Sequence, residues 1–189
     1  MHYQGFRDDN GDTRVSVFRG VRERPLDARL DLRAHSPTGL NWGYGGSGPA
    51  QLSLALLADF FGSCGIGDAV ALALYQLFKF RCIATITGDD WLLDEETVRL
   101  ELSRIIIDDV THTAACLRRA IEGLGGDRVE NLMSGPSKGK ADFPSLTDLG
   151  AKASSDIANE VSGLLGASLG MSRAFAEYLL GAQQRGLVK

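Results

Sequence analysis

HSPTGLNWGYGGSGPAQL, residues 35–52, decides how this chain folds. Five glycines (39, 43, 45, 46 and 48) fall within ten residues, and a helix start follows at once. Pro49 has no N–H to lose in a first helical turn, and Ser47 or Gly48 is the expected cap, so the spacing predicts a helix from about Pro49 to Phe61. Leu52, Leu54, Ala55, Leu56, Leu57, Phe60 and Phe61 cover most of its circumference and leave Gln51, Ser53 and Asp59 as the polar minority. Such a helix is buried nearly all round. The expected fold is therefore α+β, with the glycine-rich loop feeding a central helix.

Upstream, Thr13 to Arg19 alternates, with Val15 and Val17 on one side and Arg14 and Ser16 on the other, as a half-buried strand does. Leu26 to Ala34 repeats the alternation, and Gly20 to Pro25 supplies a connection. These two segments predict a short antiparallel amino-terminal hairpin packed on apolar helices. His2, in the polar stretch Met1 to Gly11, is read as frayed.

Downstream, a second helix is expected after Asp68 through Tyr75 and Phe78, although Phe78 to Ile86 also alternates as a strand would. Asp94 caps a third helix, with Glu95 and Glu96 in the first turn and Val98, Leu102, Ile105 and Ile106 as its inner stripe. Leu117, Ile121 and Leu124 predict a fourth after Thr113. The stretch 125–144, rich in Gly, Ser, Pro and Lys, reads as a flexible linker between a core of residues 1–124 and a helical extension, 145–189. In that extension Ser145 opens a capping box, Ile157 and Val161 recur at helical spacing, and Ser172 caps a last short helix.

Hydrophobic residues are 44% of the chain and charged residues 23%, a globular balance. The amino terminus lacks an apolar signal-peptide core, and the apolar run 69–86 is broken by Gln76, Lys79 and Arg81, so a cytoplasmic location with no membrane span is expected. Cys64, Cys82 and Cys116 are widely spaced in apolar stretches and predict buried thiols; no metal and no cofactor is implied. A net charge of −4 argues against a general phosphate-binding surface. The acidity concentrates in 89–109, where eight acids face only Arg99 and Arg104.

Gly43 to Gly48 has the G-x-G-x-x-G spacing of dinucleotide-binding turns, but the preceding segment is short and polar rather than a buried strand. It also fits G-x-x-x-x-G, yet Pro49 and Ala50 stand where a Walker motif has Lys and Ser or Thr. Two readings remain. In one, the glycines let the backbone pack under Trp42 and Tyr44. In the other, Gly45, Gly46, Ser47 and Gly48 form an anion cradle at a helix start, with His35 nearby and Ser47 or Asp59 as its acid–base partner.

Taken with YQLFK at 75–79 and WLL at 91–93, the 35–52 motif resembles an uncharacterised bacterial domain family of unknown function, over roughly residues 13–107. Its members are associated with phages, plasmids and other mobile elements, so the resemblance implies a mobile-element accessory protein. With no assembled catalytic signature, the expected function is non-enzymatic capture of a host or element macromolecule, as in an anti-defence factor, with protein favoured over nucleic acid. Glu95, Glu96, Glu101, Asp108 and Asp109 are its candidate contacts. The alternative is a nucleotide- or phosphate-binding module or enzyme using Gly43 to Pro49.

Overall fold

The computed structural model of the chain describes residues 1–36, 39–62, 65–133 and 146–181. Its sheet has four antiparallel strands in the order β3-β2-β1-β4: β1 His2–Arg7, β2 Thr13–Arg19, β3 Arg22–Pro25 and β4 Asp90–Asp94. The hairpin is therefore part of something larger, and its second strand is shorter and earlier than the alternation at Leu26 to Ala34 predicts. That alternation belongs to turns instead. Arg29 takes a left-handed φ of 51°, its N–H is held by Asp27, and Leu32 N–H returns to the Arg29 carbonyl. Asp27 and Asp31, each bonded to Arg29, are turn chemistry rather than the outer face of a strand.

The amino terminus is not frayed. β1 is an inner strand, paired with β2 through Tyr3↔Val17 and with β4 through Tyr3↔Leu93, and His2 stacks on Phe18 at 4.6 Å. Tyr3 is fully buried and reaches α1 (Ser47–Phe61), where its hydroxyl donates to Asp59 at 3.1 Å. Gly5 is required at its place: a Cβ there would lie 2.2 Å from the Trp91 indole that crosses it from β4.

Helix α1 is buried almost throughout, as its all-round apolar surface demands, and α2 (Ile66–Arg81) packs along it. Helix, not strand, thus runs through Phe78. A 3-10 turn (Ile83–Thr85) and β4 lead to α3 (Glu95–Asp108), capped by Asp94 on the Thr97 N–H at 2.7 Å with Val98, Leu102, Ile105 and Ile106 inward. Those hydrogen bonds hold the Asp94 carboxyl below its ordinary range.

Helix α4 (Val110–Met133) continues through the first part of the stretch expected as a linker, so residues 125–133 are helical; 134–144 and the expected cap Ser145 lie outside the described residues. Helices α5 (Leu146–Leu169) and α6 (Arg173–Gly181) follow, the latter capped by Ser172. Ile157, Val161, Leu165 and Leu169 of α5, with Ala176 and Leu179 of α6, are buried in one apolar core with α1 to α4. Cys82 and Cys116 are half-buried rather than buried, and Cys64 lies outside the described residues. Burial pushes the Cys82 thiol up to about 12. Among the described residues no helix is long and apolar enough to cross a membrane.

Candidate functional site

The loop is built from both sides of the core. Asn41 and the Trp42 carbonyl accept from Arg7 at 2.7 and 3.1 Å, the Trp42 indole donates to Gly88 at 2.8 Å, and Gly43 N–H donates to Ile83 at 3.1 Å. Trp42 is buried beneath this lattice, edge-on to Trp91, and the Arg7 guanidinium lies over its ring. Gly43 has a φ of 85°, and a Cβ there would meet the Ile86 carbonyl at 2.9 Å. Glycine is obligatory there on both counts.

Gly45 and Gly46, by contrast, have ordinary backbone angles. Gly46, not Ser47 or Gly48, is the cap of α1, and among the described residues no side chain caps the first turn. What restricts Gly46 is the Tyr44 ring, which would sit 2.3 Å from a Cβ there, and what restricts Gly48 is Asn41 together with Tyr44, the Asn41 Cβ and the Tyr44 hydroxyl each 2.7 Å from a Cβ at that position. The backbone does pack beneath a tyrosine, as the structural reading of the glycines expects.

Three basic side chains gather at the same end of α1. The amide of Gln51, fully buried on α1, accepts from the N–H groups of His35 and Ser36 at 2.7 and 3.3 Å and donates to Ala28, which pins the preceding segment to the helix. His35 Nε2 thereby comes 2.9 Å from the Tyr75 hydroxyl, which also accepts from Arg33 at 3.1 Å. With Arg33 donating, the tyrosine proton is free to go to Nε2, which suits a neutral imidazole. Burial, Arg33 and Lys79 all lower the His35 pKa. One turn beyond Tyr75 on α2, Lys79 is only 6% exposed, with Nζ 3.4 Å from the Gly45 carbonyl and over the Phe80 ring.

Lys79, Arg33 and Tyr75 were not singled out from sequence as site residues. Lys79 was visible in principle, as the one cation on the apolar stripe Ala71, Tyr75, Phe78 of α2. His35 does not meet Asp59, which lies under the sheet and accepts from Tyr3, Arg19 and Arg24. The acid–base pair expected between them is not formed, and Ser47 is simply the exposed first residue of α1.

The acidic candidates lie elsewhere, and four of the five are already paired with cations. Glu95 pairs with the amino terminus at 3.3 Å and with Arg99 at 3.2 Å, and Glu96 with Arg99 at 3.6 Å. Glu101 holds Arg81 at 3.0 Å and Arg104 at 2.5 Å, while Asp108 takes the other side of Arg81 at 2.5 Å. Asp109 accepts from the His112 N–H at 2.9 Å in the first turn of α4. Among the described residues no three His, Cys, Asp or Glu side chains converge as metal ligands would.

The chain matches no curated protein and no solved structure. Residues 3–104 match a family described as Family of unknown function (DUF6166), a span that takes in the sheet, the glycine-rich loop, α1, α2 and most of α3. Because that match covers more than half of the chain and contains every residue of the cationic cluster, the chain belongs to this family of unknown function.

Proposed function

We propose that this chain binds a ligand through a phosphate, or a comparable compact anion, at the glycine-rich loop. One observation carries this reading: Lys79, only 6% exposed as a residue, brings its ammonium to the positive end of α1, and among the described residues no carboxylate pairs with it. A buried ammonium needs a counter-charge, and one long bond to a carbonyl and an aromatic face do not supply it. The helix dipole adds to the positive potential instead of relieving it. Asp31 and Asp68, the acids of the neighbouring turn and the α2 start, are held by Arg29. An anion seated at Gly45 to Ser47 would meet free N–H groups, Lys79 and the field of Arg33 together. The lysine comes from α2 rather than from the loop, so this is not a Walker arrangement.

The test is thermal melting of the full chain with inorganic phosphate, for the wild type and for Lys79→Met. Phosphate is expected to raise the wild-type Tm with the logarithm of its concentration. Lys79→Met is expected to melt no lower than wild type without phosphate and to lose the phosphate response. A variant that melts well below wild type yet responds fully to phosphate would show Lys79 to be structural only.

A second reading keeps the protein as a non-enzymatic partner-binding factor of a phage or plasmid. Its support in the fold is the outer face of the sheet, where Phe6 and Leu92 stand exposed on adjacent strands, rather than the acids of α3. Host-protein capture that is lost in a Phe6→Glu, Leu92→Glu double variant and kept in a Glu95→Lys, Glu96→Lys, Glu101→Lys triple variant would favour it.

A further inference from the structure

We infer that the ligand of the loop is a nucleotide whose base lies in the cleft on the far side of Tyr44; this rests on the anion reading above. The cleft, of about 670 Å³, is bounded by Arg7, Asn41, Trp42, Tyr44, Thr85 and Thr87. It adjoins the anion site through a single residue, since Tyr44 lines the cleft and Gly45, next in the chain, carries the carbonyl that Lys79 touches.

The two ends differ in charge. Arg7 is fully engaged, with Nη1 on Asp89 at 2.9 Å and Nη2 on Asn41 and the Trp42 carbonyl. The cleft therefore offers no free cation to a second phosphate and suits a neutral, hydrogen-bonding group. The Asn41 Oδ1 is consumed by Arg7 and the Trp42 N–H, which leaves its NH₂ to donate. Thr85 Oγ donates to Cys82 at 2.7 Å and keeps lone pairs to accept. A donor and an acceptor beside an aromatic ring are what the edge and face of a nucleobase require.

Two exposed rings flank the loop. Tyr44 is 47% exposed although its ring rests on Gly46 and Gly48, and Phe80 is 61% exposed beside Gly45, 3.4 Å from where its Cβ would be. A tyrosine held against backbone by glycines loses little freedom when a base stacks on it. Glycine at 46 thus acquires a purpose beyond turning the chain: it leaves room for the Tyr44 ring beside the backbone at the edge of the cleft.

The experiment is calorimetric titration of the full chain with inorganic phosphate, ribose 5-phosphate and the four nucleoside 5′-monophosphates, using wild type, Tyr44→Ala and Tyr44→Phe. At least one nucleotide is expected to bind about tenfold more tightly than ribose 5-phosphate, an advantage that Tyr44→Ala removes and Tyr44→Phe retains. Phosphate and ribose 5-phosphate are expected to bind all three proteins alike. Equal wild-type affinities for ribose 5-phosphate and every nucleotide would overturn the base site while leaving the anion site standing. So would a Tyr44→Ala variant that weakens phosphate and nucleotide by the same factor. Absence of binding by any phosphate compound to the wild type would instead overturn the anion reading and this inference with it.

Discussion

Two regions of the molecule carry its charge, and they are organised in opposite ways. The segment 89–109 is rich in acids, yet seven of its eight carboxylates, all but the exposed Asp90, cap helices or pair with Arg7, Arg81, Arg99, Arg104 and the amino terminus. At the glycine-rich loop there are few charges, and the most buried of them, Lys79, has no carboxylate among the described residues. A charge that sequence counting makes conspicuous can be internally spent, while one that counting overlooks is left needing a partner. Binding potential follows compensation rather than abundance.

The sharpest way to break this comparison is at Gly43. The cationic end depends on backbone that only glycine allows, whereas the acidic end depends on exchangeable side chains. Gly43→Ala brings a left-handed φ of 85° and a contact of 2.9 Å to a carbonyl oxygen, so it is expected to lower stability by about 2–3 kcal/mol, read by denaturant titration. Wild-type stability for that variant would mean the loop is not set by its backbone.

Neutralising the acidic end should cost less. Glu101 is its best-buried member, with a side chain 17% exposed between Arg81 and Arg104, and Glu101→Gln is expected to lose about 1 kcal/mol, less at high salt. A loss larger than that of Gly43→Ala would invert the comparison. Smaller again is Gly45→Ala. Its backbone angles are ordinary and its Cβ would meet Phe80 at 3.4 Å, so a change below about 0.5 kcal/mol is expected. If it proves as costly as Gly43→Ala, the loop is uniformly constrained and the cradle has no adaptable part.

Much of this was legible in the residues. The buried α1, the Asp94 cap, the inner stripe of α3 and the Ser172 cap each rest on a local signal that tertiary packing reinforced. The sheet was harder to read. HYQGFR of β1 alternates weakly, because its inner positions are Tyr3, Gly5 and Arg7, and only the fold shows that Gly5 makes room for Trp91 and that Arg7 braces the loop. β4, DWLLD, carries a single buried residue. The 26–34 segment misled because charged residues (Asp27, Arg29, Asp31, Arg33) alternating with apolar ones satisfy a strand pattern, while Asp27 satisfies an Asx turn equally well. At the site, His35 and the loop were visible, but Arg33, Tyr75 and Lys79 join them only through the pairing of α1 with α2, a long-range contact with no local trace.

The smallest expected effect tests whether His35 shares the field of the cationic end. Burial, with Arg33 and Lys79, lowers its folded pKa below the ordinary value of a free histidine. As pH falls through that value, the unfolded chain takes up a proton that the folded chain still refuses, so unfolding becomes more favourable; the contribution is fully present above the unfolded pKa and declines below it. Denaturant titrations from about pH 7.5 to about pH 5 should show this slope in wild type and a weaker one in His35→Gln, with His2 and His112 common to both. Phosphate supplies the missing negative charge and is expected to raise the folded pKa of His35, flattening the wild-type slope toward that of the variant. A slope that phosphate leaves unchanged, in a protein whose melting temperature phosphate does raise, would place the anion beyond the reach of His35 and reduce the cationic end to Lys79 and the first turn of α1.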